Sequence, residues 1–259
     1  MSAGCNSCGP SACGTPVDQA SDGSDRLVAL AGNPNTGKST VFNALTGLRQ
    51  HTGNWPGKTV TRAEGSFIHA GRRFRLIDLP GTYSLSANSV DEQIARDFIW
   101  FGGADVVVVV VDSTCLERNL HLVLQVLEVT GTVVVCLNLQ DEARRKGIVI
   151  DAQALSVDLG VPVIPTVART GRGLAELKNA MAAVEAGAPA KPLVTYGVEV
   201  ETALDRLTPL LLEACPDLEN PRWVALRMLH GDPSILEAIP TGGLNRIADE
   251  PAFVQLAAS

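Results

Sequence analysis

Apolar positions along the chain follow two different periods. Leu27–Ala31, Val106–Val111, Val133–Leu137 and Val161–Pro165 are short apolar runs, as expected of strands covered on both sheet faces. Thr61–Ala70 and Arg72–Asp78 alternate and predict a hairpin turned at Ala70-Gly71. Helical spacing recurs between them, at Val41, Phe42, Ala44, Leu45 and Leu48, then over Asp91–Phe101, Leu116–Val129, Asp151–Leu159 and Gly173–Ala186. The polar stretches 49–60 and 82–90 are predicted loops, the first with an exposed-looking Trp55. Strand-helix alternation over 26–186 predicts an α/β fold, a mostly parallel sheet with helices on both faces. Gly187–Pro192 is an Ala/Gly/Pro linker. Beyond it only helical signals remain, at Val198–Ala214 (where Pro209 predicts a kink or a split), Trp223–Leu229 and Pro233–Ala238. Residues 193–259 are therefore predicted as a small all-α domain.

Residues 1–25 are rich in Ser, Gly, Asp and Pro and carry no hydrophobic period, which predicts a flexible arm. Within it, Cys5-x-x-Cys8-x₄-Cys13 could supply three thiolates to iron or another metal ion. Cys115, Cys136 and Cys215 lie singly in apolar or helical surroundings and are expected in the core. The formal net charge of −7 argues against a nucleic-acid partner, which calls for a basic face. The apolar runs fall far short of the roughly 20 residues that span a bilayer. With no charged-then-apolar leader at the N-terminus, a cytoplasmic location is expected.

The densest chemistry follows the first apolar run. Gly32-Asn33-Pro34-Asn35-Thr36-Gly37-Lys38-Ser39-Thr40 fits G-x-x-x-x-G-K-[ST] between a strand and a helix, the context that makes this pattern a phosphate-binding loop. Its backbone N–H groups and the helix N-terminus would hold phosphate oxygens. Lys38 would reach the β- and γ-phosphates and Ser39 would ligate Mg²⁺. Asp78-Leu79-Pro80-Gly81 ends a later strand: the carboxylate suits Mg²⁺, and the Gly81 N–H suits a γ-phosphate. Asn138-Leu139-Gln140-Asp141 ends another. An aspartate there can accept from both the N1–H and the 2-amino group of guanine, which adenine cannot offer. All three motifs lie at carboxyl ends of strands, where ligands bind in such folds, so the nucleotide is read as GTP or GDP.

With these motifs in view, residues 27–186 resemble the Ras-like G domain of TRAFAC-class GTPases. The phosphate loop, Gly53-Asn-Trp-Pro-Gly57-Lys58-Thr59-Val and Asp78-Leu-Pro-Gly-Thr-Tyr-Ser-Leu resemble more closely the N-terminal cytoplasmic domain of the ferrous-iron transport protein B family. Asn220-Pro-Arg-Trp and Leu229-His-Gly-Asp232 are similar to the helical domain that follows it there. The resemblance implies a GTP-hydrolysing regulatory domain at the inner face of the cell membrane, serving a permease domain that is absent from this chain. It implies Thr59 as a first-switch Mg²⁺ ligand beside Ser39 and Asp78. It also implies a K⁺ site formed by Asn35 and the carbonyls of Gly53 and Trp55. Asn35, Lys38, Thr59 and Gly81 would then be the catalytic set. Val167-Ala168-Arg169 would be the last nucleotide loop, with the Ala168 N–H meeting guanine O6.

The residue after Asp-x-x-Gly is Thr82, so the water-orienting glutamine of Ras-type enzymes is missing and slow intrinsic hydrolysis is expected. A K⁺ ion would add the positive charge that an arginine supplies elsewhere. Three departures from the family pattern stand out. Asn138-Leu-Gln-Asp141 lacks the lysine that packs along the base. Val167-Ala-Arg169 lacks the serine that supports the base aspartate; both losses predict modest affinity and quick release. Lys58 in the first switch is a third, and the residue chemistry does not explain it. One alternative is a G protein of ribosome or tRNA-modification assembly, which would need an RNA-binding module. Another is a metal-sensing G domain acting through the Cys arm. The sequence says nothing of oligomeric state.

Overall fold

A computed structural model describes residues 25–47, 50–55, 58–86, 89–185, 193–216, 218 and 220–238. The expected Cys5-x-x-Cys8-x₄-Cys13 cluster, the switch glycine Gly57 and the linker Gly187–Pro192 lie outside those residues.

Seven strands form one sheet in the order β2-β3-β4-β1-β5-β6-β7. Strands β1 (Arg26–Gly32), β4 (Arg72–Asp78), β5 (Val106–Asp112), β6 (Val133–Asn138) and β7 (Val163–Pro165) pair in parallel. Strand β3 (Thr61–His69) returns antiparallel to β4 as the predicted hairpin, turned at Ala70 and Gly71, both with positive φ. The valines of β5 are fully buried, since every side chain of a strand covered on both faces must be apolar.

Helix α1 (Lys38–Thr46) and α6 (Leu174–Ala183) cover one face over Val28, Leu30, Phe42, Leu76, Val108 and Leu177. Helix α2 (Val90–Phe101) and α3 (Leu116–Val129) cover the other, over Ala29, Ile77, Phe98, Val109 and Val126. That second core runs without a break into the C-terminal helices α7 (Val198–Ala214), α8 (Pro221–Leu229) and α9 (Pro233–Ala238), through Leu204, Leu211, Trp223 and Ile235. Trp100 on α2 meets Trp223 on α8 edge-on, with ring centroids 4.4 Å apart. Arg96 on α2 donates to the Asp232 carboxylate at 2.8 Å, both side chains buried.

Several sequence expectations need correction. Residues 49–60 are not all loop: Gln50–Asn54 form β2, antiparallel to β3. The strand is polar and has no period because backbone hydrogen bonds at a sheet edge hold it. Trp55 is buried, not exposed, at 3% of its accessible surface. Between β6 and α5 (Ala152–Leu159) lies a further helix, α4 (Gln140–Arg145), whose run Gln-Asp-Glu-Ala-Arg-Arg shows no apolar period. The last strand is shorter than Val161–Pro165, pairing only over Val163–Pro165. Helix α7 runs through Pro209 as one element. Of the three single cysteines only Cys136 is a core residue; Cys115 is exposed at the start of α3 and Cys215 is half-buried at the end of α7. Burial pushes the Cys136 thiol up to about 12, so it packs as a small apolar group.

Candidate functional site

The carboxyl ends of β1, β4, β5 and β6 converge on one edge of the sheet, and the chain turns sharply where β1 ends. Thr36 is buried and its hydroxyl donates to the Asn33 carbonyl at 2.9 Å, closing the turn. Asn35 stands exposed at the tip with φ 68°. Gly37 has φ 82°, and a Cβ there would lie 2.5 Å from the Asn138 amide nitrogen. No larger residue fits. Helix α1 starts at Lys38, so Ser39 and Thr40 occupy its exposed first turn. Unpaired N–H groups of such a turn form an anion site.

The segment after β4 lies against this loop. Leu79 N–H donates to the Leu30 carbonyl at 3.0 Å and Thr82 N–H to the Gly32 carbonyl at 3.2 Å. A Cβ on Gly81 would lie 3.4 Å from the Pro34 backbone. Lys38 Nζ donates to the Asp78 carboxylate. Burial raises the Asp78 pKa, and the Lys38 charge and hydrogen bond oppose that shift. Thr82 is buried, and its hydroxyl donates to the Ser84 carbonyl at 2.6 Å. Leu85 N–H donates to Gln125 Oε1 at 2.7 Å, which straps the segment to α3.

Asn138 joins the loops. Its amide donates to the Thr36 carbonyl at 3.0 Å, and its Oδ1 accepts from Ala168 N–H at 3.1 Å and from the Thr166 hydroxyl at 3.3 Å. The Ala168 N–H, expected to meet guanine O6, is thus taken by Asn138 in this structure. Asn138 is buried and braces the two loops against each other. Ser113, just past β5, donates to the Asn138 carbonyl and accepts from Gln140 Nε2 at 2.7 Å. Leu139 has φ 61° and starts α4, which brings Asp141 into its first turn. Arg169, on the 3₁₀ turn Ala168–Thr170 after Val167, donates to Asp141 Oδ2 at 3.1 Å.

The sequence pointed to none of Ser113, Thr166, Gln125 or the Arg169–Asp141 pair. Ser113 and Thr166 follow directly on the ends of β5 and β7, and that position was the available signal.

The first switch segment stands apart. Gly53 sits in β2 opposite Arg62, and the Trp55 carbonyl accepts from Lys58 N–H at 3.0 Å. Lys58 and Thr59 are exposed, and among the described residues no hydrogen bond joins Thr59 to Ser39 or Asp78. Hydrogen bonds and close approaches bring together Lys38, Asp78, Gly81, Asn138 and Ala168.

Residues 26–181 match the family model "Ferrous iron transport protein B" and residues 196–254 match "FeoB cytosolic helical domain". The Escherichia coli K12 Fe(2+) transporter FeoB is 46% identical over 209 residues, which is 79% of this chain and 27% of that protein. The chain thus spans about a quarter of the length of the curated relatives it matches. Two crystal structures of the T. maritima FeoB cytosolic domain superpose with a TM-score of 0.77. The apo form is 37% identical over 91% of this chain and 97% of that one. The GMPPNP form is 38% identical over 90% and 96%. The L. pneumophila FeoB cytosolic domain, 36% identical over 90% and 93%, also gives 0.77.

Proposed function

As a member of the ferrous iron transport protein B family, the chain carries the G domain and helical domain of an iron transporter, and we propose that it binds guanine nucleotide and hydrolyses GTP at the edge described above. The observation that carries this is the Asn138 brace, because one amide holds the phosphate loop at Thr36 and the base loop at Ala168. A nucleotide has a phosphate end and a base end, and that amide fixes the distance between the two receptors.

In this reading the N–H groups of Asn33–Gly37 and of the first turn of α1 receive the phosphates, and Lys38 exchanges Asp78 for phosphate oxygens. Gly81 N–H receives a γ-phosphate oxygen. Asp141 accepts from the guanine N1–H and 2-amino group. Water attacks the γ-phosphorus, the bond to the β–γ bridging oxygen breaks, and the water proton leaves with inorganic phosphate. Ser39 Oγ, the Asp78 carboxylate and Thr59 Oγ1 are hard oxygen donors that suit Mg²⁺, which would neutralise phosphate charge. The Asn35 side-chain oxygen and the Gly53 and Trp55 carbonyls are neutral oxygen donors that suit K⁺. The Trp55 carbonyl accepts from Lys58 N–H, and among the described residues no hydrogen bond joins Thr59 to Ser39 or Asp78, so completing both sets would call for a rearrangement of the first switch.

Hydrolysis would set the state of two switch segments, the first at 49–60 and the second at 79–90, and through α2 and the C-terminal helices the state of an iron-carrying membrane partner at the cytoplasmic face. Among the described residues no helix is long and apolar enough to cross a membrane. The test is binding of fluorescent GDP and ADP analogues together with release of phosphate from GTP. Micromolar preference for the guanine nucleotide with slow turnover supports the reading. Equal binding of ADP, or no phosphate release, overturns it.

A further inference from the structure

Asp141 has lost the serine that would support it from the neighbouring loop, whose residues are Val167, Ala168 and Arg169. The structure fills that role from another direction. Arg169 Nη2 donates to Asp141 Oδ2 at 3.1 Å, across 28 positions of sequence. Arg145, one turn further along α4, approaches the same oxygen at 3.8 Å. The turn that carries Arg169 is itself fixed, because Ala168 N–H is held by Asn138 and Val167 pairs with Arg172. The Arg169 side chain is 75% exposed and the Asp141 side chain 31% exposed, so the arginine comes in from the solvent side.

Guanine presents two parallel donors and needs both carboxylate oxygens in one plane. A carboxylate oxygen has two lone pairs, so a donor on the outer side of Oδ2 leaves Oδ1 and the inner side of Oδ2 for the base. We propose that Arg169 is the positioning residue for base selection: it holds the Asp141 carboxylate in the plane in which it reads guanine. This rests on the nucleotide-binding reading above. It replaces the quick release expected from the missing serine with a release rate set by an arginine.

The test compares GDP, IDP and ADP dissociation for the wild-type chain, Arg169→Ala and Arg169→Lys. IDP keeps N1–H and lacks the 2-amino group, so it depends less on the carboxylate plane. Arg169→Ala is expected to weaken GDP by about two- to fivefold, the range an exposed ion pair supports, and to weaken IDP less, so the GDP/IDP ratio falls. Arg169→Lys is expected to recover part of the affinity. Added salt is expected to weaken GDP binding by the wild-type chain more than by Arg169→Ala. Tighter GDP binding in Arg169→Ala overturns the proposal, because the arginine would then compete with the base. Equal weakening of GDP and IDP overturns it too, since that is the signature of a disordered loop. A wild-type chain that does not prefer GDP over ADP refutes the nucleotide reading instead, and is seen before any variant is compared.

Discussion

Trp55 meets Phe98 edge-on, with ring centroids 5.5 Å apart and planes at 73°. The contact ties the end of β2, in the first switch segment, to α2, which follows the second. The Trp55 indole is buried, and its Nε1 has no hydrogen-bond partner among the described residues. Its ring therefore stabilises the fold while its N–H does not.

Trp55→Ala is accordingly expected to cost about 3–5 kcal/mol, as large aromatic truncations in cores do. Trp55→Phe removes the unpaired donor and keeps most of the ring, so its cost is expected to stay below about 1.5 kcal/mol. Urea unfolding of the two variants checks this. Equal destabilisation would show that the N–H matters.

The partner of Lys38 predicts a pH dependence. Burial raises the Asp78 pKa and Lys38 holds it down, so replacing Lys38 by Met lets it climb further. A carboxyl whose folded pKa lies above its unfolded value costs stability at high pH and regains it as pH falls through the folded pKa. Lys38→Met is thus expected to be less stable than wild type by about 1–3 kcal/mol at pH 8, where a charged group is left poorly paired. The deficit should shrink as the pH falls through the raised Asp78 pKa. Unfolding of the nucleotide-free chain at a series of pH values measures it, and a deficit that stays constant contradicts the account.

The pair Arg96–Asp232 crosses from α2 to the segment before α9 with both side chains nearly fully buried. Removing one member of such a pair typically costs about 3–5 kcal/mol, because the other charge stays buried. Arg96→Met is expected near the lower end, since the Arg227 guanidinium still faces Asp232. Arg96→Met combined with Asp232→Asn is expected to be more stable than Arg96→Met alone. A double-mutant cycle by urea unfolding reads the coupling, and additive costs would show that the two charges do not interact.

What was legible in the sequence was whatever solvent exclusion writes into residue type. The valine runs of β5 and β6 and the apolar faces of α2 and α3 stood out because each position had to be apolar. The phosphate loop stood out because Gly37 has no room for a Cβ beside Asn138. What stayed hidden was held by backbone or by long-range polar bonds. Strand β2 is a polar edge, α4 has Ala143 as its one apolar residue, and Asn138 reaches Thr36 across 102 positions. Trp55 looked exposed because its neighbours in sequence are polar, while its neighbours in space are Phe98 and the rest of the α2 core.

Asn35 offers the sharpest test of how hydrolysis would be driven. Thr82 stands where a glutamine would orient water, and it is buried with its hydroxyl given to Ser84. Another group must offset the developing charge. Asn35 is exposed at the tip of the loop with φ 68°, and among the described residues no side-chain hydrogen bond holds it as bonds hold Thr36 and Asn138. A monovalent cation on its side-chain oxygen would put positive charge beside the transferring phosphate, the kind of interaction that changes rates by about 10²–10³-fold. Wild-type turnover is therefore expected to be faster in KCl than in NaCl at equal ionic strength. Asn35→Ala is expected to fall to the NaCl rate in both salts and to keep its GDP affinity within about threefold, since the backbone N–H groups that receive phosphate remain. Phosphate release and GDP titration on the same preparations separate the two effects. Equal wild-type rates in the two salts, unchanged by Asn35→Ala, would remove the cation from the mechanism and leave Lys38 as the side-chain cation nearest the phosphates.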